Sequence, residues 1–284
     1  MKKRKIDVVV ISDVHLGSPS SKAEELLIYL SSIKPKTLVL NGDFIDPFYI
    51  RRNSFPKTHL KVIKKILSLL SEGSEVYYIT SNNDNLFRKF TGSMFSRLHF
   101  QDKLITDMDG KSVCILHGSI FDTSPALSKW LIKLGALGMN ILSLKHKLRQ
   151  HRQSKKGKIK EYSDAHSRIQ SQRDLTSLSK FDRSALEMAF QNQYDTLICG
   201  YSHQPRKTYY ESNKGRWLYL NSGDWVEHLT ALEYSFKRWK LYSFKHDKLT
   251  AFYGDEELRD MDVADLLEKR GDLTETEKFS RTAS

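Results

Sequence analysis

Five short apolar runs in this 284-residue chain each end near a side chain able to ligate a metal. Asp13 and His15 follow residues 6–11, Asp43 follows 37–40, and Asn82 follows 75–80. His117 follows 111–116 and His203 follows 195–199. Runs rich in Val, Ile, Leu and Tyr and bounded by Gly, Ser and Asn read as buried strands. In layered α/β folds, ligands bind beyond the carboxyl ends of the strands. Five such ends can gather residues that are distant in sequence into one cage of carboxylate, amide and imidazole. Hard oxygen mixed with imidazole nitrogen suits Mn²⁺, Fe²⁺ or Zn²⁺.

The first part of the chain alternates strand and helix. Residues 22–32 space Leu26, Leu27 and Leu30 as a helix does, and 58–71 carry Leu60, Ile63, Ile66, Leu67 and Leu70 with lysines on the opposite face. Runs 104–107 and 112–116 flank Met108-Asp109-Gly110-Lys111, a hairpin signal. Runs 217–220, 229–234 and 239–244 read as closing strands. Alternation followed by hairpins predicts an α/β fold of the α+β type, with mixed sheets between helical layers.

Residues 125–190 contain no strand runs. Leu127, Trp130, Leu131, Leu134, Leu137, Ile141, Leu142 and Leu144 make a long apolar helical face, and 145–160 are strongly basic. A helix packed on the core explains this segment, as does a cap offering apolar surface to a lipid tail and bases to phosphate or an anionic membrane. Residues 255–284 form a polar tail with ten acids and five bases, so the net charge of +12 becomes +17 without it. That excess favours acidic partners. The two cysteines, Cys114 and Cys199, sit inside expected strands and read as small buried hydrophobes rather than a disulfide framework. No run reaches the roughly 18 to 20 apolar residues of a membrane span. The expectation is a cytoplasmic chain.

Asp13-Val14-His15, Gly42-Asp43, Ser81-Asn82-Asn83-Asp84, His117-Gly118 and Gly200-Tyr201-Ser202-His203 occur in that order. This order resembles the calcineurin-like metallophosphoesterases, whose signature reads D-x-H, G-D, G-N-H-D, H and G-H-x-H. The flanks, 11–17, 42–46 and Tyr219-Leu220-Asn221-Ser222-Gly223-Asp224-Trp225-Val226-Glu227, look like the UDP-2,3-diacylglucosamine hydrolase branch. That branch also inserts a helical segment after the His-Gly strand. The resemblance spans roughly residues 6–244. It implies a four-layer αββα catalytic unit over 1–254, with a cap at 125–190 and the tail at 255–284. It further implies two ions, Mn²⁺ foremost with Zn²⁺ or Fe²⁺ as alternatives. Asp13, His15 and His203 would hold one, Asn82 and His117 the other, with Asp43 bridging. Asn83 and Asp84 fall at the catalytic third motif, and Arg88 and Lys89 just after it are candidates for phosphate. The implied substrate is a phosphorylated small molecule or lipid nucleotide met at the inner membrane face.

Four positions depart from the signature. Asn83 replaces His and cannot act as a general acid, a role worth roughly 10²–10⁴ in rate. Tyr201 replaces the first His of the last motif, and a phenol ligates only after the metal strips its proton. Ser119 replaces Asp and Ser81 replaces Gly. Three of the four surround the second ion. An active hydrolase with a weakened second site and a catalytically impaired metal- and phosphate-binding homologue both fit. A nucleic-acid phosphodiesterase fits the charge alone, because the bases concentrate in an apolar stretch without the aromatic interleaving of a single-strand groove.

Overall fold

The fold rests on two sheets whose parallel strands all finish at one edge. The computed structural model describes residues 3–50, 55–121, 179–212 and 215–247. Most of the expected cap (125–178) and the 255–284 tail lie outside the described residues.

The first sheet has seven strands. Its parallel centre is β1 (Arg4–Ile11), β2 (Ile33–Asn41), β3 (Glu75–Ile79) and β5 (Leu98–Gln101), with β4 (Met94–Phe95) antiparallel on one margin. On the other margin β11 (Thr230–Ser235) and β12 (Arg238–Ser243) add antiparallel pairs. The second sheet runs in the order β6 (Lys103–Met108), β7 (Lys111–Leu116), β8 (Thr196–Cys199), β10 (Gly215–Asn221) and β9 (Arg206–Ser212). There β7, β8 and β10 are parallel, and the edge strands are antiparallel.

Alternation along the strands sorts side chains into layers. Val8, Val10, Val39 and Ile79 of the first sheet meet Val113, Ile115, Ile198 and Leu220 of the second in one buried core. The outer face of the first sheet, including Leu38 and Leu40, packs on α1 (Ala23–Ser32) and α3 (Lys57–Ser71), which follows the short α2 (Pro47–Ile50) in the chain. On the second sheet Cys114, Leu116, Leu197, Cys199 and Tyr219 pack on Phe181, Ala185, Met188 and Ala189 of α5 (Lys180–Gln191). Two helices, two sheets and one helix give the αββα order. Both cysteines are free and buried on the α5 side, and burial pushes the Cys114 thiol up to about 12.

Three elements escape the sequence pattern. β4 and β5 are two and four residues long, and β9, Arg-Lys-Thr-Tyr-Tyr-Glu-Ser, is a polar edge strand. The inner stripe of α3 is also rotated from the expected one. Val62, Lys65, Ile66 and Leu69 are buried, while Leu60 and Leu67 are exposed. Lys65 sits three residues after Val62 and four before Leu69, so its aliphatic stem falls on the inward stripe. The last residues of the expected insertion, Lys180–Gln191, form a core helix whose first turn is capped by the Ser179 hydroxyl accepting from Asp182 N. Among the described residues no helix is long and apolar enough to cross a membrane.

Ile198, fully buried between the sheets, should lose about 2–5 kcal/mol of stability on substitution by Ala. Phe236, 88% exposed, should change stability by no more than about 0.5 kcal/mol on the same substitution. Chemical denaturation of the two variants would measure this, and equal midpoints would contradict the layer assignment.

Candidate metal centre

Strand ends from both sheets meet because the sheets are stitched at that edge. Asn41, the last residue of β2, donates from Nδ2 to the Leu116 carbonyl at the end of β7 (3.1 Å). The Asn41 carbonyl accepts in return from Nδ1 of His117 (2.9 Å). Gly200 N donates to His117 O, Ser222 N to Cys199 O, and Trp225 N to Asp13 O (3.1 Å). The loop after β2 continues alongside the loop after β1, with Val14 N and His15 N both donating to Asp43 O.

The clustered side chains sit on the turns. Asp13, His15, Asp43 and His203 have φ of 52°, 51°, 47° and 55°. Asp13-Val14-His15 is therefore not the extended segment that side-chain alternation suggests; both ligand positions are left-handed. Asp and His tolerate this region better than most residues, and such backbone persists only where its surroundings over-determine it. Two glycines permit the close approach. A Cβ on Gly42 would lie 2.3 Å from the His117 ring, and one on Gly200 would lie 2.8 Å from Asp13 Oδ2.

Two groups of side chains have ligand atoms within 4.8 Å of one another: Asp13, His15 and His203, and Asp13, Asp43 and His117. All five expected carboxylate and imidazole ligands are thus brought together, and Asp13 is the member common to both groups. His203 Nε2 lies 3.1 Å from Asp13 Oδ1, and His117 Nε2 lies 3.6 Å from Asp43 Oδ2. The His15 and His203 rings stack with centroids 5.9 Å apart. Asp13 is fully buried, and among the described residues its Oδ2 has no hydrogen-bond partner, while its Oδ1 has only the facing imidazoles of His203 (3.1 Å) and His117 (3.9 Å). Buried carboxylates that meet only imidazole nitrogens and have few other hydrogen-bond donors make a donor set that fits a cation. The Asn41 carbonyl fixes the proton on Nδ1 of His117 and leaves Nε2 as the ligand atom.

The other expected residues take different places. Asn82 is held by Ser119: its N donates to Ser119 Oγ (3.1 Å) and its Nδ2 to Ser119 O (3.2 Å). Asn83 is exposed, and its Nδ2 donates to Asp43 Oδ2 (3.1 Å). The Ser81 hydroxyl donates to Asp43 Oδ1. Asp84 is fully buried and accepts from Ser81 N (2.8 Å), Asp43 N (3.3 Å) and the Tyr78 hydroxyl (2.9 Å), bracing the loop. Tyr201 stacks on Phe181 and meets the His117 ring edge-on, with centroids 5.8 and 5.7 Å apart. Arg88 and Lys89 are exposed at the end of α4 (Asn85–Arg88), and Lys89 lies 5.5 Å from the Phe90 ring centroid.

Burial alone would depress the His117 imidazole, but the Asp13 and Asp43 carboxylates push it up to about 9. Burial would raise Asp43, but His117 and the hydrogen bonds from Ser81 and Asn83 hold it well below the usual carboxylate range. The cluster is thus poised as carboxylates facing imidazolium, a charge balance that a divalent cation can take over by displacing protons.

The calcineurin-like phosphoesterase superfamily domain matches residues 6–241. The chain belongs to this superfamily. It is a family of metal-dependent hydrolases, and the carboxylate–imidazole cluster lies within the matched span. The UDP-2,3-diacylglucosamine hydrolase of Blochmanniella pennsylvanica (strain BPEN) is 25% identical over 236 residues, covering 80% of this chain and 92% of the relative. That of Aliivibrio fischeri (strain MJ11) is 24% identical over 253 residues, covering 83% and 97%. Among solved structures, an archaeal phosphodiesterase aligns with a TM-score of 0.43 at 16% identity, covering 83% of this chain and 98% of the other. Vacuolar protein sorting 29 from Cryptosporidium parvum aligns with a TM-score of 0.39 at 12% identity, covering 84% and 96%.

Sequence patterns pass over the supports of this cluster. Asn41, Ser12, Asp224 and His228 act through backbone and side-chain contacts between loops. Ser12 and Asn41 directly follow apolar runs, and Asp224 lies within the family-like flank 219–227, but none of these signals shows what the residue touches.

In metal-free protein, His117 titrates near 9 when folded and near 6.5 when unfolded. A raised value means that its ionic contribution to stability is complete below about pH 6.5 and disappears as pH rises through 9. Thermal melts in chelator between pH 6 and 10 should show this loss, and His117→Gln should flatten part of it. Parallel pH profiles for the two proteins would show that His117 is uncharged in the folded state.

Proposed function

We propose that this protein is a metal-dependent phosphoester or pyrophosphate hydrolase acting on a nucleotide-linked lipid precursor of the UDP-2,3-diacylglucosamine class. The observation that carries the reading is the convergence of Asp13, Asp43, His15, His117 and His203, with ligand atoms within 4.8 Å of one another in two groups that share the buried Asp13. Asp13, His15 and His203 would hold one ion, and Asp43, Asn82 and His117 would hold a second. When bound, the ions supply an activated water and offset the charge growing on phosphorus and on the leaving oxygen. Mixed oxygen and nitrogen donors favour Mn²⁺, with Zn²⁺ or Fe²⁺ as alternatives.

The protein's own residues prepare this site. Ser81 and Asn83 keep Asp43 ionised and oriented. Ser119 holds Asn82 through its backbone and its amide nitrogen, so the Asn82 amide oxygen serves as the ligand atom. Asn83 carries no acidic proton. Its second amide hydrogen is left to bind a phosphoryl oxygen, so protonation of the leaving group falls to water or to substrate. Tyr201, stacked on Phe181, serves as a wall for His117 rather than a ligand, which leaves the second site one donor short. The substrate class draws support from the two relatives of that name and from the apolar and basic residues at 127–160, suited to an acyl chain and an anionic membrane surface.

Asn83 and Tyr201 also motivate the reading of a catalytically impaired metal- and phosphate-binding protein. One experiment separates the two. With Mn²⁺, the protein should release UMP from UDP-2,3-diacylglucosamine, and His117→Gln should lower the rate at least about 100-fold, beyond the 10–100-fold typical of residues behind a ligand. No cleavage of this substrate or of a generic phosphodiester would sink the hydrolase reading. Asn83→His with Tyr201→His then tests the weakened site: a gain approaching 10²-fold marks a missing acid or ligand. An unchanged rate in a working enzyme means that other groups carry those roles.

A further inference from the structure

The two sheets also bound a second recess, at the end of the fold away from the metal centre. Its floor is the inter-sheet core: Val113, Tyr234 and Trp239 belong to that core, and Met108 and Leu218 pack against it. Lys111, Val113 and Thr196 lie at the beginnings of β7 and β8, strands whose other ends lead to His117 and His203. The recess encloses about 430 Å³ including its open mouth, a size within the roughly 300–1,000 Å³ usual for small-ligand sites. Lys111, Lys207, Lys237 and Arg238 line it, and no lining residue is acidic. Two of these cations are committed. Lys207 Nζ donates to the Trp239 carbonyl (2.8 Å), tying β9 to β12, and Lys237 Nζ lies 3.6 Å from Asp109 Oδ1. The acids that act on Tyr234 are committed as well. Asp109 accepts from its hydroxyl (2.5 Å), Asp107 accepts from Gly110 N (2.9 Å), and Asp7 pairs with Lys36 (2.6 Å). Among the described residues, Lys111 and Arg238 enter no ion pair.

We infer that this recess is a second, non-catalytic ligand site, and that it takes a phosphomonoester dianion with a small apolar or aromatic body. Gathering like charges around one concavity is unfavourable unless an anion offsets them. The two uncommitted cations match the two negative charges that a phosphomonoester carries above about pH 6. Arg238 offers a planar fork of donors and Lys111 a point charge, the two ways in which basic side chains hold phosphate. A carboxylate monoanion would leave one of the pair unmatched. The apolar floor gives the body of the ligand a place that inorganic phosphate cannot use, and burying that body adds affinity. A merely solvated basic face, the ordinary reason for exposed lysines, predicts weak binding that ignores both the charge of the anion and its apolar part.

Phenylphosphonate, which has no ester bond to cut, is the probe, with inorganic phosphate and benzoate as comparisons. The full chain is kept metal-free with chelator, so the result does not depend on what the metal centre hydrolyses. Titration followed by ¹H–¹⁵N NMR should shift the amides of Met108, Lys111, Val113 and Thr196 together and leave those of Asp13, Asp43 and His117 in place. Phenylphosphonate should bind about 10-fold more tightly than either comparison. Lys111→Gln and Arg238→Gln, both at exposed positions, should each weaken it about 10-fold without moving the melting temperature. Shifts confined to the metal centre, or no saturable shift at millimolar phenylphosphonate, would overturn the inference. Unchanged affinity in both folded variants would overturn it too. Inorganic phosphate binding as tightly as phenylphosphonate would exclude the apolar body, and benzoate doing so would exclude the dianion.

Discussion

The exchange between Asn41 and the His117 segment governs the rest of this structure. Two sheets packed through Val, Ile and Leu can slide, because apolar contact has little directionality. Hydrogen bonds from Asn41 Nδ2 to Leu116 O, and from His117 Nδ1 to Asn41 O, set the relative position of β2 and β7 at their carboxyl ends. They bridge the two sheets in a buried setting where an unmade bond costs about 1–3 kcal/mol. The same bonds place His117 beside Asp43 and select its tautomer. Inter-sheet registration and ligand geometry therefore share one set of atoms.

That economy explains why the strained backbone lies where it does. Four of the five clustered ligands occupy left-handed conformations, each costing of order 1–3 kcal/mol. The loop bonds from Val14, His15 and Leu16 to Asp43 and Phe44, and from Trp225 to Asp13, hold the chain in that form. Left-handed turns directly after strands send the side chains back over the strand ends rather than outward. Gly42 and Gly200 complete the arrangement by lacking the Cβ that would strike the His117 ring or the Asp13 carboxylate.

Much of this was legible in the sequence because the strands that carry the site are buried on both faces. Residues 6–11, 37–40, 111–116 and 195–199 read as mainly apolar runs, and polar residues shortly after them are the clustered side chains. The edge strands were not legible. β9 carries Arg, Lys, Glu and Ser because one of its margins faces solvent, and β4 is too short for any period to show. The inner stripe of α3 was misplaced because Lys65 uses its aliphatic stem as core. The residues that act at one remove were hidden for another reason. His228 bonds to Asp224, and Asp224 lies near His203 in a loop some twenty residues earlier, a relation that no local pattern encodes.

The departures from the family signature can also be weighed electrostatically. A histidine at position 83 would add a fourth imidazole near Asp13 and Asp43, beside His15, His117 and His203. Asn83 instead gives Asp43 a neutral donor, and Ser81 gives it another. Asp43 thereby keeps its negative charge while its hydrogen bonds add none of the opposite sign. Tyr201 likewise replaces a basic ring with a phenol whose face is taken up by Phe181. Both changes shift the second half of the cluster from ionisable donors towards neutral ones. The second group consists of Asp13, Asp43 and His117, and Asp13 faces both halves. Charge is thus concentrated around Asp13, whose loop is backed by the Ser12 hydroxyl contacts to Ser222 and Gly223 and by the Trp225 N–H to its carbonyl.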